Sequence, residues 1–98
     1  MRWVPIRYRE FYDIPRLFLA EHAGAVYVFD CPFDERADEY PEHYRVYQLP
    51  AEIAAAADAA SWEGLAHAGT FVGEVPVGAV HFDATHRTAI DDSVFGVL

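Results

Sequence analysis

The side-chain chemistry open to this 98-residue chain rests on one cysteine, five histidines and sixteen carboxylates. Cys31 stands in "YVFDCPFDE", between Asp30 and Pro32, with Asp34 and Glu35 just behind. A nucleophilic cysteine acts as its thiolate, so a cation, a base or a helix N-terminus must lower a pKa that starts near ~8.5. The sequence neighbours here are acids, which push a thiol the other way. Free cysteine is also among the residue types most often buried. Cys31 is therefore expected as a structural thiol closing a strand. It is still the chain's reactive-thiol candidate. In the alternative reading, a small ligand-binding barrel or enzyme would bring it into a pocket with one or two of His22, His43, His67, His81 and His86.

The other patterns assign no catalytic residue. No two histidines show H-x-x-x-H spacing and there is no C-x-x-C, so neither a metal nor a cofactor is expected. Asp91 and Asp92 are adjacent and would point to opposite faces of a strand, which prevents a carboxylate dyad. The glycines of "GTFVGEVPVG" lead to no lysine, unlike a phosphate-binding loop. The two serines, Ser61 and Ser93, lie in no G-x-S-x-G elbow. The balance leans away from an enzyme. No stretch carries the motif of a characterised family.

Charge says more. The formal net charge is −9, and all seven basic residues are arginine. A field of that sign disfavours nucleic acid and anionic membrane and favours a basic partner. The acids concentrate in one loop: Asp34, Glu35, Asp38, Glu39 and Glu42 against Arg36 alone. The segment "YREFYDIP" places Tyr8, Phe11 and Tyr12 among Arg7, Arg9 and Arg16, and Arg with aromatic residues is the composition of interface hot spots. The expected interaction surface is Arg9, Tyr12, Asp34, Glu35, Asp38, Glu39 and Glu42. The expected function is that of a small cytosolic bacterial protein acting as a non-enzymatic protein-protein interaction module. Its partner would be a basic protein, or a second copy joined through an edge strand.

The elements that must position these groups start from a hairpin. "RLFLAEH" and "AVYVFDC" flank Ala23-Gly24, and glycine suits the positive φ of a two-residue turn. That loop sets Phe18 opposite Phe29, Leu19 opposite Val28 and Ala20 opposite Tyr27. Phe18, Tyr27, Phe29 and Cys31 then share one face, and Leu17, Leu19, Val26 and Val28 the other. With both faces apolar, the hairpin is expected at the centre of the sheet. Strands are also expected at "WVPIRY", "YRVYQL", "AVHFD" and the apolar end "SVFGVL", with "REFYDIP" as a connection. Asp34 is expected to cap a helical turn within residues 34–40, and Asp83 to cap the "DATHR" turn. A helix is expected over about 51–60, opened by Pro50 and closed by Gly69, with Ser61 capping a second short turn.

The sum is an α+β, mostly β single domain over 1–98. It has five to seven short strands in a strongly bent antiparallel sheet or a small SH3-like barrel. The opening decapeptide has no apolar stretch of signal-peptide length, and one cysteine allows no internal disulfide, so cytoplasmic residence is expected.

Overall fold

A computed structural model describes residues 2–56, 65–83 and 88–98. Its centre is a six-stranded antiparallel sheet in the order β5-β4-β3-β2-β1-β6. The strands are β1 Trp3–Tyr12, β2 Ile14–His22, β3 Ala25–Asp30, β4 His43–Gln48, β5 Thr70–Pro76 and β6 Ala89–Asp91. One short helix, α1 Ala51–Ala56, follows β4, and 3-10 turns occupy Leu65–Ala68, Val77–Ala79 and Asp92–Gly96. Among the described residues the strands form an open sheet, not a closed barrel. Among them, too, no helix is long and apolar enough to cross a membrane.

The β2–β3 hairpin lies mid-sheet in the expected register, with Phe18 opposite Phe29 and Leu19 opposite Val28. Its turn holds Ala23 at φ 53° and Gly24 at φ 80°, two left-handed residues whose twist matches that of the flanking strands. Alternation then divides the interior in two. One face gathers Val4, Ile6, Phe18, Ala20, Phe29, Cys31, Tyr44, Val46, Val75, Val80, Ile90 and Val94. The other gathers Leu19, Val28, Leu49 and Leu65, with Leu17, Val26, Tyr47 and Ala54 against them.

Four elements differ from expectation, each for a local reason. "REFYDIP" is not a connection: β1 runs on through Tyr12, which pairs with Ile14, so the chain reverses at Asp13. Asp13 has φ 66°, a conformation that a short polar side chain tolerates better than most. A bulge between Tyr8 and Glu10 keeps the long strand in step with β2. "AVHFD" is reduced to one bridge, Phe82 to Ile90, although Val80 is buried and His81 exposed, as alternation requires. The last strand falls at Ala89–Asp91, while "SVFGVL" coils into the 3-10 turn Asp92–Gly96. Asp91 starts that turn by accepting a hydrogen bond from the Ser93 N–H at 3.0 Å.

The helix begins at Ala51, and the Ala54 N–H donates to the Pro50 carbonyl. Positions 57–60 of the expected helix, and the Ser61 cap, lie outside the described residues. Gly69 sits where the chain enters β5. A Cβ there would come within 2.9 Å of Tyr47 Cβ and 3.0 Å of the Gln48 carbonyl oxygen, so close backbone approach requires glycine. Residues 84–87 of the expected "DATHR" turn lie outside the described residues; Asp83 Oδ1 accepts from the Thr88 and Ala89 N–H groups beyond it, at 2.7 and 2.9 Å.

Candidate interaction site at the acidic loop

The hairpin register fixes the first pair of the site. With Leu17 opposite Asp30, one further step sets Arg16 beside Cys31, and the Cys31 N–H donates to the Arg16 carbonyl at 2.8 Å. Both side chains fall on the aromatic face. Arg16 Nη1 donates to Cys31 Sγ at 3.6 Å, and the thiol donates to the Pro41 carbonyl at 3.4 Å. The sulfur is fully buried. Burial raises the thiol's pKa, and the Asp30 charge adds to this, while the Arg16 hydrogen bond and charge work against it. The net direction is upward. At neutral pH Cys31 is therefore a protonated, hydrogen-bonded core group.

The histidines lie elsewhere. His22 stacks flat on Phe95 with ring centroids 4.2 Å apart. His43 lines a groove beside Arg45 and Glu74. His67 closes a 3-10 turn on the opposite face, where its charge acts on Asp30. His81 is exposed, and His86 lies outside the described residues.

Tyr44 holds the floor of the region. It is fully buried, and its hydroxyl donates to the Pro15 carbonyl at 2.6 Å. Burial, reinforced by the neighbouring Cys31, raises its pKa strongly. Above it Arg16 does three jobs. Its Nε–H donates to the Tyr12 carbonyl at 3.0 Å, its Nη1 reaches the thiol, and its guanidinium lies 4.2 Å from the Tyr40 ring centroid. Tyr12 stacks on Tyr40 at 5.3 Å, and Phe33 meets Tyr40 edge-on at 5.1 Å. A guanidinium over a tyrosine face is an attractive pairing, so the cluster joins β1, β2 and the acidic loop.

The loop itself is a closed turn. Asp34 and Glu39 exchange both backbone hydrogen bonds, at 2.9 and 3.2 Å. Asp34 caps as expected, its Oδ1 accepting from the Arg36 and Ala37 N–H groups at 3.0 and 3.2 Å. The turn it caps is not helical, and Asp38 is left-handed at φ 54°. Asp38, Glu39 and Glu42 are therefore not aligned along a helix.

A groove opens on either side of this turn. One, of about 460 Å³, is lined by Tyr12, Arg16, Phe33, Asp38, Glu39 and Tyr40. The other, of about 550 Å³, includes Phe33, Asp34, Glu35, His43, Arg45 and Glu74. Of the expected surface residues, the fold brings Tyr12, Asp38 and Glu39 together in the first groove and Asp34 and Glu35 in the second. Arg9 occupies the β1 bulge and Glu42 the approach to β4, where its carbonyl accepts from the Val77 N–H at 2.8 Å; neither lines either of these two grooves. Tyr12 is 60% exposed and Phe33 46%, so both rings offer apolar surface beside carboxylates. Residue type alone did not single out Arg16, Phe33 and Tyr40 as the frame of the site. The hairpin register did carry the signal for Arg16, because the sum that pairs Phe18 with Phe29 also pairs Arg16 with Cys31.

Comparison with known proteins gives no family model, no curated protein and no solved structure that matches this chain.

Proposed function

We propose that the protein is a non-enzymatic interaction module whose acidic loop receives a basic segment of a partner protein. The observation that carries this reading is the groove between β1 and the loop, where the exposed rings of Tyr12 and Phe33, braced by Tyr40 and its Arg16, stand beside the carboxylates of Asp38 and Glu39. Aromatic faces and carboxylates together suit a guanidinium or ammonium group, through ring attraction and ion pairing. The turn is held closed by its own hydrogen bonds, so little ordering entropy is lost on binding. The net charge of −9 would steer such a partner toward the protein. A chain with one buried, protonated thiol suits the reducing cytoplasm.

The test is calorimetric titration of the full chain with an arginine-rich peptide, repeated with Tyr12→Ala and with the Asp38→Asn/Glu39→Gln pair. Binding should weaken about thirtyfold in each variant, the scale of one lost hot-spot contact of about 2 kcal/mol, and should weaken as salt rises. Absent binding, or binding that ignores both variants, overturns the reading.

A further inference from the structure

The two edges of the sheet are finished differently. The outer side of β6 is occupied by residues 81–83. Phe82 bridges Ile90, the Asp83 N–H donates to the Ala89 carbonyl at 3.0 Å, and the Asp91 N–H donates to the His81 carbonyl at 2.9 Å. Among the described residues β5 has one neighbour, β4. An edge strand presents a row of ladder positions that another strand can take.

Apolar surface gathers at this same edge. Of the ten large hydrophobic residues exposed among the described residues, Phe71, Val72 and Leu98 lie here. Phe71 pairs with Tyr47 on the aliphatic face, and its ring meets the Tyr47 ring at 5.6 Å. Leu98 covers the opposite face: a Cβ built at Gly73 would lie 3.6 Å from its Cδ2. Val72 is the residue skipped by the pairing with β4. An added strand would therefore find apolar groups on both of its faces.

We propose that β5 pairs antiparallel with β5 of a second copy of this chain, across a two-fold axis, so that the sheet continues from one protomer into the other. Charge selects this occupant. A chain of net charge −9 meets itself most easily where local charge is low, and Thr70–Pro76 carries Glu74 alone, opposite Arg45 in the β4–β5 register. The antiparallel arrangement also keeps the acidic loops apart. The loop leads into β4 at His43, which pairs with Pro76, so it lies at the Pro76 end of β5. Two-fold pairing sets that end beside the partner's Thr70–Phe71 end, so the two acidic loops stand at opposite ends of the paired strands, and each copy's Arg45 stays against its own Glu74 and Phe71 ring. A two-fold interface is self-complementary by construction, and a second β5 supplies the apolar groups that this edge leaves exposed.

The test is sedimentation velocity on the full chain from roughly 1 to 200 µM, a range that brackets micromolar dissociation constants. The expected result is a concentration-dependent dimer that Phe71→Lys and Val72→Lys each convert to monomer. Amide exchange supplies the second readout: β5 amides should gain protection as concentration rises, with β2 and β3 amides equally protected in wild type and variants. A wild-type chain that stays monomeric at the highest concentration overturns the proposal. So does a dimer that survives both lysine variants, or one formed without added protection on β5. Arginine-peptide binding at the Tyr12 groove is read separately, so either proposal can fail alone.

Discussion

Phe18 and Phe29 stack at 4.6 Å on one face of the central hairpin, while Leu19 and Val28, one position along each strand, meet on the other. The same register makes both faces, yet they are covered differently. The aromatic face receives the chain's last third: Val80, Phe82, Ile90, Val94 and Phe95 all pack there. The Phe82 ring meets Phe18 edge-on at 5.7 Å, and the Phe95 ring meets Phe29 edge-on at 5.9 Å. The aliphatic face is covered, among the described residues, by Leu49, Leu65 and the small side chain of Ala54. Each buried aromatic ring removes about 150–250 Å² from water, worth about 4–6 kcal/mol at ~25 cal/mol per Å². An alanine helix contributes a fraction of that. The difference teaches that apolar alternation sets where the faces are, and the covering segment sets how much each face stabilises.

The largest test of that comparison truncates one residue on each side. Phe29→Ala should lower unfolding free energy by about 3–5 kcal/mol, because no solvent reaches the site and its neighbours are rigid rings. Leu19→Ala should cost about 2–3 kcal/mol, toward the low end for such changes, because among the described residues fewer large groups surround it. Urea unfolding of both variants reads the difference. Equal losses would break the comparison.

A smaller effect lies on the aromatic face alone. Tyr44→Phe keeps the ring and removes the donor to the Pro15 carbonyl, a buried hydrogen bond whose loss costs about 1–3 kcal/mol. The change also carries a pH signature. Burial raises the folded Tyr44 pKa, so the unfolded chain releases this proton first, near the ordinary value of about 10. Stability therefore falls as pH rises through 10 and beyond, and Tyr44→Phe should lessen that fall. A variant with the same alkaline slope as wild type would show that Tyr44 is not its source.

The hairpin was legible because its signal is local: two apolar arms, a turn containing glycine and a period of two. From it followed the pairing, the two faces and the burial of Cys31. β1 was harder. Its second half, "REFYDIP", is polar and aromatic without clean alternation, because the bulge shifts the pairing between Tyr8 and Glu10. The C-terminal segment misled for the opposite reason: "SVFGVL" is apolar enough for a strand, but Asp91 caps a turn that buries Val94 on the aromatic face. The site was half legible. The acids and Tyr12 stand out by type, whereas the grooves depend on how Asp34 closes the loop and on where Arg16 reaches. The covered β6 edge and, among the described residues, the open β5 edge are products of topology, and local pattern does not carry them.

The finest test returns to the aliphatic face. Asp30 ends β3 there, opposite Leu17 and Arg45. Burial raises its carboxyl pKa above the ordinary 3.8 and the Glu10 charge raises it further, against the lowering effect of His67 and Arg45. A raised carboxyl means that the folded state holds this proton at pH values where the unfolded chain has lost it. Stability therefore declines as pH rises from 3.8 through the folded pKa, and at neutral pH Asp30 opposes folding. Asp30→Asn should raise the melting temperature slightly at pH 7 and give no gain near pH 3, where both states of the wild type are protonated. The groups raised on the aromatic face, Cys31 and Tyr44, act instead in the alkaline range. The two faces should thus differ in the pH window at which they weaken as well as in strength. An Asp30→Asn gain that is constant between pH 3 and pH 7 would trace the effect to packing and remove the acid-side half of that contrast.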